Sequence, residues 1–185
     1  MNLEKKKVLL HICCAPDATI PWPALAEEGY DVTGYFYGHN IHPVEEYIQR
    51  RVAVERLASL LFCPVVIEEY NPEEWFRKGA LLAHEPEGGY RCALCFTLQL
   101  LGAAQAALQN KCSFLCTTLT ISPHKDPIRI NNIGEGVARR YGLTWLHRVW
   151  RKNNGFVRSV QASRAMRLYR QSYCGCLYSL RKEGR

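Results

Sequence analysis

Five short runs of aliphatic, aromatic and β-branched residues, separated by stretches whose apolar positions recur at helical spacing, constrain the fold of this chain more than any other feature. The runs fall at 7–12, 32–37, 64–68, 113–118 and 143–149. Helices are expected between them at 21–28, from Pro43 to about residue 62, at 72–82, 91–109 and 128–141. Proline suits a first helical turn; Val44, Tyr47, Ile48, Leu57, Ala58 and Leu61 fall largely at helical spacing; Gly142 reads as the glycine that closes the last helix. Strands alternating with helices imply an α/β, Rossmann-like fold with a mostly parallel, doubly wound sheet of about five strands. From residue 151 the chain reads as short helices and loops. With 185 residues, 48% of them hydrophobic, it has material for one core and suits a single domain over 1–185.

Ligands of such sheets collect beyond the carboxyl ends of the strands. Three polar loops are expected there: His11-Ile12-Cys13-Cys14 after the first strand, residues 38–43 after the second and residues 117–125 after the fourth. Charge is uneven as well. From Arg139 onward there are 12 Lys/Arg against one acid, Glu183, or about +11, while the rest carries 12 against 16, or about −4. That asymmetry points to a polyanion bound at one end, or else to a solvated helix face. Lys5-Lys6-Lys7 before Val8-Leu9-Leu10 imitates a secretory signal, but the apolar stretch is too short and His11 interrupts it. It reads as a buried strand, with no membrane partner and a cytoplasmic location.

Nine cysteines are many for a reducing compartment, where thiols serve metals, catalysis or core filling rather than disulfides. Six occur in close groups: Cys13-Cys14, Cys92-x-x-Cys95 and Cys174-x-Cys176. These six are expected to face one metal site, with residues 139–185 completing it. Cys63, Cys112 and Cys116 sit in apolar company and read as small buried side chains. Paired thiolates at tight turns hold soft metals, either an iron–sulfur cluster or a zinc ion on Cys92, Cys95, Cys174 and Cys176. Zinc leaves Cys13-Cys14 unused, and adjacent thiolates diverge, which suits two neighbouring centres better than one. Asp17, three residues after Cys14, offers a hard oxygen for an iron with open positions; the alternative is a helix N-cap.

These words resemble a known family, the QueH-type epoxyqueuosine reductases. The resemblance rests on residues 9–16 (Leu-Leu-His-Ile-Cys-Cys-Ala-Pro), Asn40-Ile41-His42-Pro43 with Glu45-Glu46-Tyr47, and Glu85-Pro86-Glu87-Gly88-Gly89 with Arg91-Cys92-x-x-Cys95-Phe96. Residues 117–125 and Tyr169-Arg170-Gln171-x-Tyr173-Cys174-Gly175-Cys176 complete it, in order along nearly the whole chain. It implies a 4Fe–4S cluster, for which Cys13, Cys92, Cys95, Cys174 and Cys176 are candidate ligands, and an additional iron nearby; Cys13, Cys14, Asp17, Cys92, Cys95, Cys174 and Cys176 together are the candidate metal ligands, their division between the two centres left open. It further implies a tRNA substrate carrying epoxyqueuosine in its anticodon loop, an unidentified electron donor, and reduction of the epoxide to an alkene with loss of water. Many relatives carry cysteine where this chain has Asp17, which favours a metal-facing position over a cap.

The chemistry suits these parts. An epoxide oxygen is a hard donor that an open iron would polarise, and a cluster delivers electrons singly. His124 and His42 are candidate proton sources, or else fix loops. Lys125, Arg170 and Arg91 are candidates for phosphate contacts, and Tyr169 and Tyr173 for stacking on unpaired bases or for core packing. A cluster-dependent tRNA thiolation enzyme is the other enzymatic reading, but its phosphate loop is absent after strand one. A zinc-stabilised RNA-binding protein is the non-enzymatic one.

Overall fold

The computed structural model describes residues 6–180; Glu183 and the last cations of the basic segment lie outside the described residues. Five parallel strands, β1 (Lys7–Ile12), β2 (Asp31–Phe36), β3 (Val65–Ile67), β4 (Phe114–Thr117) and β5 (Thr144–Trp145), form one sheet in the order β3-β2-β1-β4-β5. The chain leaves β1 toward β2 on one side and returns to β4 on the other, so the switch point of the sheet lies between β1 and β4. A Rossmann-type sheet gathers its ligands there.

Among the described residues seven α-helices surround it: α1 (Ala15–Ala18), α2 (Pro21–Glu27), α3 (Val44–Leu61), α4 (Glu73–Ala80), α5 (Tyr90–Gln109), α6 (Pro127–Arg140) and α7 (Gly155–Ala165). Alternation along β1 sends Val8, Leu10 and Ile12 into one core layer with Trp22, Leu25, Val54 and Leu57. Leu9 enters the opposite layer with Leu100, Ala104, Leu115 and Trp145. Both faces of the sheet are therefore covered, which is the doubly wound arrangement. Gly142 closes α6 with φ +68, and the Leu143 N–H donates back to the Ala138 carbonyl at 2.9 Å. α5 is long and apolar enough to cross a membrane by composition, but Leu100, Ala103, Ala104 and Ala107 bury its apolar side in the second core layer.

Several expectations change. Pro43 is the N-cap of α3 rather than its first residue. Val44 and Ile48, read as part of the helical stripe, are about half exposed, whereas Tyr47, Leu57 and Ala58 are buried. β5 is two residues long, because this edge strand pairs with only Phe114 and Leu115. Cys63 is half-buried rather than enclosed, unlike Cys112 and Cys116. The segment after 151 holds an eleven-residue helix, α7, larger than short helices and loops suggest.

Candidate metal centre and adjoining cleft

At the switch point Cys13 follows β1, and its N–H donates to Thr118 Oγ1 at 3.1 Å, tying the loops after β1 and β4 together. Cys92 and Cys95 lie in the first turns of α5, three residues apart and hence on one helix face. Their sulfurs accept N–H bonds from the Gly88 main chain (3.2 Å) and Gln99 Nε2 (3.2 Å). Cys174 and Cys176 flank Gly175, whose φ of +119 favours glycine and where a Cβ would stand 2.9 Å from Arg50 Nη1.

Arg50, from the middle of α3, holds that loop. It is 1% exposed, pairs with Glu46 at 2.7 Å, and donates to the carbonyls of Cys174 and Tyr173 at 3.0 Å each. The Gly175 carbonyl accepts from the His42 N–H at 2.8 Å, and the Tyr173 hydroxyl donates to the His42 carbonyl. The basic C-terminal segment is thereby fastened to the rest of the fold at its cysteines.

The result is a small cavity lined by Cys13, Cys92, Cys95, Cys174 and Cys176, together with Trp75, Phe96, Leu119, Asn40, Gln99, Arg91 and Lys125. Cys14 does not line it. Its buried sulfur accepts from Gln171 Nε2 at 2.8 Å, and Asp17 follows three residues on, in the same short helix. Cys14 itself is the N-cap of α1, and Asp17 makes no cap bond, so the N-cap alternative for Asp17 fails. Cys63, Cys112 and Cys116 lie apart from the cavity, in or beside the two main core layers. Among the described residues no three Cys, His, Asp or Glu side chains converge as the ligands of a single ion would; the five thiols ring a space instead.

The thiols differ in their electrostatics, and only Cys13 is shifted toward the thiolate. The neighbouring Cys14 thiol lowers Cys13 to about 7, against the opposing effect of burial. Burial pushes Cys174 up to about 11 and raises Cys95. Burial also raises Asp17, with Lys125 pulling the other way. Burial alone would lower the Lys125 ammonium, but Cys13, Cys174, Asp17 and Cys14 outweigh it, so it stays protonated. A largely apolar cavity holding five thiols and two fixed cations, Lys125 and Arg91, fits an anionic, thiophilic group.

Cys92, Phe96, Lys125 and Cys174 also border a second space, an open cleft of about 770 Å³ lined by Asp17, His124, Arg129, Arg170, Gln171, Tyr173 and Phe156. His124 is an exposed side chain there, and Arg170 donates to Ser163 Oγ at 2.6 Å. Three expected site residues point elsewhere. His42 stacks on Phe76 at 4.2 Å and meets the Tyr70 hydroxyl, and burial lowers it to about 4. Tyr169 donates to Glu46 Oε2 at 2.6 Å. Arg91 lines the cavity rather than the cleft, its guanidinium engaged by the carbonyls of Leu82, Ala83 and Glu85. Sequence reasoning passed over Arg50, Gln99, Arg129 and Gln171. Gln99 carried a usable signal, one helical turn after Cys95.

Fold and site together define a Rossmann-type α/β protein with a thiol-ringed cavity at its switch point, opening on a cleft of mixed charge in which Lys125, Arg129 and Arg170 stand with Asp17, Glu87 and Asp126. A profile of the family described as epoxyqueuosine reductase QueH matches residues 8–182. The chain belongs to that family. It is 39% identical over 177 residues to the epoxyqueuosine reductase QueH of Histophilus somni (strain 129Pt), covering 95% of this chain and 72% of that one. The Streptococcus pyogenes serotype M1 protein of the same name is 36% identical, with 97% and 72% covered, and that of Thermotoga maritima 35%, with 94% and 90% covered. Among solved structures, the U34-tRNA thiolase NcsA from Methanococcus maripaludis with its [4Fe-4S] cluster shares the fold at TM-score 0.60 and 12% identity, covering 96% of this chain and 62% of that one. A predicted tRNA methyltransferase subunit from Methanocaldococcus jannaschii shares it at TM-score 0.52 and 13% identity, with 85% and 74% covered.

Proposed function

We propose that this chain reduces epoxyqueuosine in tRNA to queuosine in the cleft, beside a 4Fe–4S cluster held among Cys13, Cys92, Cys95, Cys174 and Cys176. The observation that carries this reading is that five thiols from three distant segments line one cavity bordering a large open cleft that holds Lys125, Arg129 and Arg170. Cys14 and Asp17, paired on the other side of Cys13, form the donor set for an additional iron. When bound, the cluster supplies electrons one at a time and the iron a Lewis-acid position.

The balance is an epoxide plus two electrons and two protons giving an alkene and water, so an external electron donor is required. The chain's own residues supply binding and protons. Arg129 and Arg170 hold tRNA phosphates at the cleft, and Tyr173 and Phe156 offer surfaces for an unstacked base. Lys125, held protonated where cavity and cleft meet, neutralises the thiolates and presents N–H donors to the departing oxygen. His124, on the solvent side, replenishes the protons. A tRNA substrate supports a cytoplasmic location for this reading.

The test is anaerobic purification with iron and sulfide analysis, for the wild type and for single Cys→Ser changes at Cys13, Cys92, Cys95, Cys174 and Cys176. The expected protein is brown, with iron and sulfide depleted in these variants and unchanged in Cys116→Ser. A colourless zinc protein would overturn the proposal in favour of an RNA-binding module.

A further inference from the structure

Gln99 is 3% exposed, sits one helical turn after Cys95 on α5 and lines the thiol cavity. Its Nε2 donates to Cys95 Sγ at 3.2 Å and to the Cys95 carbonyl at 3.1 Å. Beside it lies His11, fully buried at the end of β1. His11 Nδ1 meets Thr117 Oγ1 at 2.9 Å, and Thr117 Oγ1 already accepts from the Leu119 N–H at 3.2 Å. With the Thr117 hydroxyl proton directed at Nδ1, the ring hydrogen sits on Nε2. That nitrogen is buried without a hydrogen-bond partner among the described residues, next to Gln99. An imidazole N–H on that side attracts the amide oxygen and turns the amide nitrogen toward the sulfur. Thr117, His11 and Gln99 thus form an ordered relay, running from β4 through β1 to α5, that ends on one cavity thiol.

We propose that Gln99 is a positioning residue that sets the reduction potential of the cluster through Cys95, with His11 and Thr117 fixing the sense of its amide. This rests on the cluster reading above. A hydrogen bond to a ligating sulfur withdraws charge from it and favours the reduced, more negative cluster, so the bond raises the potential. The Gln99 side chain touches no part of the cleft, and its effect is electronic rather than substrate-binding.

The experiment is an anaerobic redox titration followed by electron paramagnetic resonance on wild type, Gln99→Leu, Gln99→Met and Thr117→Val, with iron and sulfide measured on each. Both Gln99 variants are expected to keep wild-type iron and sulfide and to titrate at a more negative potential. Thr117→Val, near in shape to threonine but without the hydroxyl, is expected to shift the same way by less. Cluster-loaded Gln99→Leu and Gln99→Met titrating at the wild-type potential would overturn the inference and leave the proposed function standing. A wild type without a cluster signal would overturn the proposed function itself.

Discussion

Replacing Arg50 by methionine removes the only buried cation that holds the Cys174-x-Cys176 loop among the described residues. The side chain is 1% exposed, and its partner Glu46 is 9% exposed at the carboxylate side chain. Removing one member of a buried pair costs about 3–5 kcal/mol, because the other charge stays behind without its partner. The variant also loses two bonds to the carbonyls of Tyr173 and Cys174, worth about 1 kcal/mol each. The double change Arg50→Met with Glu46→Gln removes the stranded charge and keeps an acceptor for the Tyr169 hydroxyl. Its deficit should therefore fall to about 2 kcal/mol, from the two carbonyl bonds alone. Urea unfolding under reducing, anaerobic conditions measures both, with iron and sulfide determined on the same samples. Arg50→Met should unfold about 5–7 kcal/mol more easily and hold its metal poorly. An Arg50→Met protein within about 1 kcal/mol of wild type and fully loaded, or a double variant no more stable than the single, would show that Arg50 does not hold the loop in this way.

Stability should also fall with acid. His11 and His42 are lowered by burial to about 3 and about 4, so between those values and 6.5 the unfolded chain binds more protons than the folded one. Their contribution is complete above pH 6.5 and is withdrawn as pH falls, by on the order of 1 kcal/mol per histidine per unit. Asp17, raised by burial, works in the opposite sense over the carboxylate range. A urea midpoint unchanged between pH 7 and pH 5 would contradict this. Asp17→Ala should keep most of the visible absorption yet lose reductase turnover, and Asp17→Cys should recover part of it; wild-type turnover in Asp17→Ala would remove the carboxylate from the metal site. Lys152, Arg158 and Arg164 are exposed on the basic segment, so changing each to alanine should flatten the slope of log K against log salt for tRNA binding by about 0.7–0.9 for every phosphate left unneutralised. An unchanged slope assigns those charges to solvent. Arg151 is excluded from that set because it donates to the Lys125 carbonyl at 3.0 Å and shapes the loop after β4.

The sheet was legible because its strands are continuous apolar runs, as buried parallel strands are, and their alternation with helices leaves few topologies. Five of the six closely spaced cysteines line one cavity, and they stood out in the sequence because close pairs beside turn residues have few other uses, whereas the spacing of Cys13 and Cys14 did not show that their side chains part. What escaped has physical reasons too. α7 buries Gly155, Ser159 and Ser163 rather than aliphatic residues, and Asn153 and Asn154 in left-handed conformations precede it, so its sequence reads as a turn followed by a polar stretch. Val44 and Ile48 keep helical spacing yet face outward, since periodicity alone does not say which stripe meets the sheet. Arg50, Tyr169 and Arg91 show the same limit for polar groups: a basic or aromatic residue in a tRNA-enzyme sequence suggests the ligand, but these three are engaged with the protein's own carboxylate and carbonyl groups.

If the proposed function holds, electrons stored among the cavity thiols reach a substrate in the adjoining cleft. Anaerobically pre-reduced protein mixed with a stoichiometric amount of epoxyqueuosine-containing tRNA tests this, by following visible absorption alongside mass analysis of the released nucleosides. The metal centre is expected to reoxidise as queuosine forms, at one product per two electrons transferred, with no reoxidation by tRNA carrying unmodified guanosine at the same position. Queuosine formed without reoxidation, or reoxidation blind to the epoxide, would contradict it.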